Sequence, residues 1–276
     1  MFETALSTNG KKIGEELFRQ YQEAGIGMAE LSFGAVGSET LVDLREIKSF
    51  ADRYGVKIWS FHLPFMPFLT VDISSCDEKL REDSVRYLTE LMKKAVEETG
   101  VRLFVIHPSG EPIEETSRKS RMNCAKESLK ALAAAAAEIG AVIAVEDLPR
   151  TCLGRDSDDI LELLSADDRL RVCFDTNHLL KENNTDFIRR VGNKIVTMHV
   201  SDYDFIDEKH WLPGEGGIDW QALVNALRSV NYQGPWLYEV AFKCPKTLSR
   251  SRDLCCGDFA QNAREILNGC EITVIQ

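Results

Sequence analysis

None of the eight cysteines in this chain form a C-x-x-C pair. Cys76, Cys124, Cys152, Cys173, Cys244, Cys255, Cys256 and Cys270 also lack zinc-ribbon spacing. Met1 is not followed by a basic, apolar, small-residue leader, so the expectation is a cytoplasmic protein whose thiols stay reduced. No apolar run reaches the length of a membrane span. The longest, Ala131–Val145, is broken by Glu138 and Gly140 and reads as a helix followed by a strand. Positive charge is in deficit, with 33 Lys and Arg against 44 Asp and Glu and a formal net charge of −11. Such a chain repels polyphosphate at long range, so neither nucleic acid nor an anionic membrane is an expected partner. A small anionic substrate is not excluded, because one local cation can offset the global field. The stretch Ser7-Thr8-Asn9-Gly10 after the first predicted strand lacks a G-x-G-x-x-G fingerprint, which argues against an open dinucleotide-binding sheet.

What is present is an alternation of short β-branched runs with segments of 3.6-residue periodicity. Strands are predicted at Glu3–Ser7, Met28–Ser32, Lys57–Phe61, Leu103–Ile106, Val142–Val145, Arg171–Phe174, Ile195–Met198 and Trp236–Tyr238. Helices are predicted over Lys11–Ala24, Glu39–Tyr54, Glu78–Glu98, Arg118–Ile139, Asp156–Leu164, Thr185–Arg190, Trp220–Ser229 and Leu248–Leu267. Gly100 and Gly140 stop the third and fourth helices. There is no composition break and no linker. Eight strand–helix units in 276 residues predict an α/β protein, one (β/α)8 TIM-barrel domain spanning 1–276.

In such a barrel the carboxyl ends of parallel strands open on one face, where polar residues serve chemistry. Four metal-binding side chains sit there: Glu146, Asp175, His199 and Glu239, each directly after its own strand. Burying three carboxylates together without a cation costs several kcal/mol, and a divalent ion removes that conflict. Hard oxygen donors with one imidazole suit Mn²⁺, Mg²⁺ or Co²⁺. Histidine is scarce, yet all five lie at or just beyond strand ends: His62, His107, His178, His199 and His210. His62, His107, His178 and His210, together with Glu30 at the end of strand two, are the candidate substrate contacts; a second metal is the equal alternative for His62 and His107, and support of Asp175 the alternative for His178. The glycine-rich segment Trp211–Trp220 leaves two readings open. It is a helix-entry turn with Asp219 as N-cap, or a loop that closes over substrate and presents backbone N–H groups to an anion.

The segments E-D-L-P-R (Glu146–Arg150), F-D-T-N-H (Phe174–His178), H-V-S-D (His199–Asp202) and H-W-L-P-G-E-G-G-I-D (His210–Asp219) resemble the xylose isomerase-like barrels, most closely their sugar phosphate isomerase/epimerase group. The resemblance runs from about strand two through strand eight. It implies a divalent metal, manganese first and zinc, magnesium or cobalt as alternatives, held by Glu146, Asp175, His199 and Glu239. It also implies a small-molecule sugar substrate, Glu146 and Glu239 as the catalytic pair exchanging a proton through an enediolate, and His178 on a substrate oxygen. A homodimer is compatible with it. Two positions depart from the 3-epimerases of the group, with Cys152 where a second glutamate is usual and Phe205 where an arginine is usual, so outer hydroxyls must be held differently.

The same superfamily contains endonuclease-IV-like enzymes that cleave abasic DNA with three zinc ions. Their ligand pattern maps onto His62, His107, Glu146, Asp175, His178, His199, His210 and Glu239, with Glu208 where an aspartate is usual. The net charge and the lack of Lys/Arg-rich mouth loops weigh against DNA. An inosose-type dehydratase would start with the same proton abstraction. A non-catalytic sugar-binding barrel has no need of paired carboxylates around a metal.

Overall fold

The computed structural model describes residues 2–275. Its strands are β1 (Thr4–Ser7), β2 (Met28–Ser32), β3 (Lys57–His62), β4 (Leu103–Ile106), β5 (Val142–Glu146), β6 (Arg171–Asp175), β7 (Ile195–His199) and β8 (Trp236–Tyr238). The helices between and after them are α1 (Glu15–Ala24), α2 (Leu44–Arg53), α3 (Glu78–Thr99), α4 (Glu115–Glu138), α5 (Ser157–Leu164), α6 (Asn184–Val191), α7 (Trp220–Ser229) and α8 (Cys256–Leu267). All eight strands join one parallel sheet in the order β7-β6-β5-β4-β3-β2-β1-β8. The ring closes just past β7, where the Val200 amide donates to Leu237 O at 2.7 Å and the Glu239 amide donates to Val200 O at 3.2 Å. The expected (β/α)8 barrel is what forms.

Strand periodicity sorts the side chains. Outward-facing residues such as Phe104, Val145, Val172 and Phe174 join the large apolar cluster shared with the helices, while Val105, Ala144 and Cys173 make a small separate cluster inside the ring. Two residues beyond the last two of these come Glu146 and Asp175, which therefore point into the same interior at its carboxyl end. Helix α4 buries Met122, Ala125, Leu129, Leu132, Ala133 and Ala136, one face at three- and four-residue spacing. No helix among the described residues is long and apolar enough to cross a membrane.

Several helix starts fall later than the periodicity predicts. The stretch from Lys11 to Gly14 is irregular, and α1 begins at Glu15. The predicted Glu39–Tyr54 helix divides into a 3-10 turn, Ser38–Leu41, and α2, because Asp43 caps the Arg45 amide and ends the first piece. The largest difference is α8. Residues 248–255 are loop, and the helix starts only where Cys255 and Asp258 form a reciprocal cap. That loop is pinned by a buried ion pair, with Arg250 Nε and Nη2 each 2.6 Å from a carboxylate oxygen of Glu215. The Arg250 and Glu215 side chains are only 1% and 3% exposed, so Arg250→Met leaves Glu215 buried and unpaired. The expected cost is about 3–5 kcal/mol, and a melting experiment should read a Tm lower by about 10 °C. A shift under 2 °C would show that the pair carries little of the loop's stability.

Candidate active site and metal centre

The strands place the four predicted ligands in one buried group. One ligand atom from each of Glu146, Asp175, His199 and Glu239 lies within 4.8 Å of the others. His199 Nδ1 is 2.9 Å from Glu146 Oε1, 3.5 Å from Glu239 Oε2 and 3.7 Å from Asp175 Oδ2. Its other ring nitrogen, Nε2, is 3.1 Å from Glu30 Oε1, and Ser60 Oγ donates to Glu30 Oε2 at 2.8 Å. Carboxylates accept, so both ring nitrogens donate, Nε2 to Glu30 and Nδ1 to Glu146. Burial opposes the charge on His199, but Cys173 and the surrounding glutamates Glu30, Glu239 and Glu146 raise it well above the usual range. Burial raises the Glu30 carboxyl, but the charge and hydrogen bond of His199 outweigh it and the net displacement is downward.

Whether these residues fit a cation is decided by what each atom lacks. Asp175 Oδ1 accepts the Asn177 amide at 2.7 Å, while Asp175 Oδ2 is fully buried with no hydrogen-bond partner. Burial pushes the Asp175 carboxyl upward and outweighs the charges of His178, His210 and His199, which pull it down. An orphaned carboxylate oxygen beside the Nδ1 edge of an imidazole and two further carboxylates is a donor set for one divalent ion, which would take the place of the proton that Nδ1 shares with Glu146. Asp147 supports it from behind, with its Oδ1 accepting the Asp175 amide at 2.7 Å.

Glu146 is the hub. Its Oε2 meets His62 Nε2 at 2.9 Å and His107 Nε2 at 3.2 Å, while Oε1 meets His199. Burial alone would lower the basicity of His62, yet the hydrogen bond and charge of Glu146 lift it to about 9. In His107 burial prevails and the shift is downward. A second group lies across the mouth, where His178, Glu208 and His210 bring ligand atoms within 4.8 Å of one another. His178 Nδ1–H donates to Asp147 O at 2.8 Å, leaving Nε2 3.6 Å from Glu208 Oε2. Burial would depress His178 as well, but Asp175, Glu146, Asp147 and Glu208 together raise it to about 9.

These groups open into a cavity of about 260 Å³. His62, His107, His178 and His210 all line it, as do Glu146 and Glu239; Phe65, Phe68 and Leu148 give it an apolar wall. Phe65 stacks on His107 with ring centroids 4.0 Å apart. Glu30 is the correction among the predicted substrate contacts, since it does not line the cavity and lies wholly buried behind His199. The anion-cradle reading of the glycine-rich loop also fails. The Gly214 and Ile218 amides donate to buried Asp202 at 2.8 and 3.2 Å, and Trp220 Nε1 donates to it at 3.0 Å, so those donors are already used. The helix-entry reading holds, with Asp219 Oδ1 accepting the Ala222 amide at 2.9 Å. Sequence reasoning missed Asn9, whose Nδ2 donates to Glu239 Oε1 at 3.2 Å, and Glu111, which lines the cavity from the loop after β4. The strand-end rule that found the ligands reaches Asn9, two residues past β1. It does not reach Glu111, five residues past β4.

With this geometry in view, a family model for xylose isomerase-like TIM barrels matches residues 18–253, most of the chain. The chain belongs to the xylose isomerase-like TIM barrel family. An uncharacterised protein of Methanocaldococcus jannaschii is 25% identical over 239 residues, covering 83% of this chain and 77% of its own. D-psicose 3-epimerase of Enterocloster bolteae is 23% identical over 233 residues, covering 78% and 72%. Among solved structures, a D-tagatose 3-epimerase-like protein superposes with TM-score 0.79 at 20% identity, covering 97% of this chain and 96% of that one. An L-ribulose 3-epimerase gives TM-score 0.79 at 19% identity, covering 98% and 95%. The structural likenesses show that this xylose isomerase-like barrel shares its fold with sugar epimerases.

Proposed function

We propose that this protein is a divalent-metal-dependent isomerase or epimerase acting on an uncharged sugar. The observation that carries the reading is a pair of cavity-lining carboxylates, Glu146 and Glu239, within one ligand group whose Asp175 Oδ2 has no other partner. A divalent ion held by Glu146, Asp175, His199 and Glu239, manganese first among the candidates, would polarise a sugar carbonyl and acidify the adjoining C–H. The chain's own residues do the rest. Glu146 and Glu239 remove a proton and return it, and Asn9 orients Glu239 through Oε1. Glu30 holds His199 in the tautomer that presents Nδ1. His178, anchored by Asp147 O, offers Nε2 to a substrate oxygen. Which carbon regains the proton sets epimerisation against aldose–ketose isomerisation. The 3-epimerase among the sequence relatives supports proton transfer next to a carbonyl.

An uncharged substrate follows from what lines the cavity. No lysine or arginine does. Lys11 donates to Val240 O at 2.8 Å and Asn9 O at 3.2 Å, so its ammonium is spent on backbone carbonyls. A phosphate would meet Glu111, Glu146, Glu208 and Glu239 with no lysine or arginine on the cavity wall to pair with.

The test is proton NMR of free ketopentoses and ketohexoses incubated with metal-loaded protein in D₂O. Deuterium entering beside the carbonyl, with a new sugar appearing, is the expected result. Sugars that keep every C–H across the panel would refute the reading. A second reading, a zinc-dependent phosphodiesterase, rests on the additional His178, Glu208 and His210 group beside His62 and His107. It predicts two or three zinc ions per chain and cleavage of a phosphodiester.

A further inference from the structure

Four glutamates line the cavity, and three have partners in the chemistry above: Glu146 and Glu239 in the ligand group, Glu208 beside His178. Glu111 is left over. Its Oε1 pairs with Arg150 Nη1 at 2.9 Å, and its Oε2 has only the Cys152 thiol, at 3.9 Å. Burial, with the charges of Glu111 and Glu208, pushes that thiol up to about 12, so it stays protonated and is a weak donor at best. Oε2 therefore keeps acceptor capacity on a wall of the sugar cavity.

Arg150 explains why this carboxylate stays where it is. Besides Glu111, its guanidinium meets Asp207 Oδ1 at 2.8 Å and Glu208 Oε1 at 3.1 Å, tying together the loops after β4, β5 and β7. Its backbone is left-handed, φ 55°, a conformation that a residue with a Cβ adopts only when its surroundings hold it. With three carboxylates on one guanidinium, Arg150 has no charge left to offer a ligand. It serves as a clamp. A clamp needed only to brace loops would have no reason to present its partners to the cavity, yet Glu111 and Glu208 both line it, and of the two Glu111 has no imidazole beside it.

We propose that Glu111 is a specificity-determining residue that accepts a hydroxyl at the end of the sugar remote from the reacting carbons, and that Arg150 positions it. The proposal rests on the sugar reading above. It fits the departure at position 152, where a thiol replaces a carboxylate, because the carboxylate then comes from the neighbouring loop. Such an acceptor selects a hydroxylated chain end over a deoxy one, since a missing hydroxyl leaves the charge in the cavity unpaired.

The experiment uses the full, metal-loaded chain and the ketose panel. On the best substrate Glu111→Gln should raise KM by about 10- to 100-fold, the size of one lost hydrogen bond to a charged group, with kcat changed much less. The wild type should favour that sugar over its terminal deoxy analogue, and Glu111→Gln should lose most of that preference. Arg150→Met should raise KM comparably, Arg150→Lys should recover part of the loss, and the Glu111→Gln/Arg150→Met double variant should be no worse than the worse single. Metal content should match wild type throughout. Wild-type turnover with KM and deoxy preference unchanged in Glu111→Gln would overturn the assignment alone. So would a kcat loss with KM unmoved, and Glu111→Asp guards against a misfolded variant. Absence of any wild-type turnover across the panel would overturn the sugar reading and this assignment together.

Discussion

Glu239→Gln should lower turnover by about a hundred- to ten-thousand-fold while leaving most of the bound metal in place. The substitution keeps the size of the side chain and an oxygen to accept from Asn9 Nδ2, so the local fold has little reason to move. What it removes is the basic carboxylate. Glu239 is the member of the ligand group that both lines the cavity and has only Asn9 as a side-chain hydrogen-bond donor, whereas Glu146 is held by several imidazoles. Glu239 is therefore the freer of the two to exchange a proton with a substrate carbon. The checks are kcat on the best sugar and metal content by plasma mass spectrometry. Activity within threefold of wild type would remove Glu239 from acid–base work. Loss of metal and activity together would make it chiefly a ligand.

Asp175→Asn should have opposite effects on stability in the presence and absence of metal. Without a cation, the wild-type chain buries an orphaned carboxylate oxygen beside two more carboxylates. Asparagine deletes that charge and keeps an oxygen to accept the Asn177 amide. The metal-free variant should then melt a few degrees above metal-free wild type, at roughly 2–4 °C per kcal/mol for a chain of this size. With metal the order reverses. An ion at a hundred times its Kd stabilises the wild type by about 2.7 kcal/mol, and the variant should gain almost none of it. A variant that melts below wild type with and without metal would mean that Asp175 serves packing rather than a cation.

His178 and His210, three and eleven residues past β6 and β7, were reached through the scarcity of histidine. Most of the residues that were legible in the sequence sit instead within a residue or two of a strand end. Strand direction and a two-residue side-chain period then determine where they point, which is why Glu146, Asp175, His199 and Glu239 come together as expected. Glu30 obeys the same rule for position but not for role, because nothing in the sequence says that it lies behind the imidazole of His199 rather than in front. Glu111 and Arg150 lie farther out, where loop conformation places a side chain and periodicity is silent. The glycine-rich loop misled for a related reason. Its Gly214 and Ile218 amides are taken by Asp202 and its Glu215 and Gly217 amides by the Leu212 and Tyr203 carbonyls, contacts between loop residues that only the folded chain reveals. Helix starts were misread where a side-chain cap, such as Asp43 or the Cys255–Asp258 pair, overrides apolar spacing.

The most direct test of the metal-centred proton-transfer site is the identity and number of ions bound to the purified chain, measured by plasma mass spectrometry without added metal. About one manganese, cobalt or magnesium per chain is expected from the four-residue ligand group of Glu146, Asp175, His199 and Glu239. Two or three zinc ions per chain would contradict it, bringing His62, His107, His178 and His210 in as ligands and pointing to phosphodiester hydrolysis.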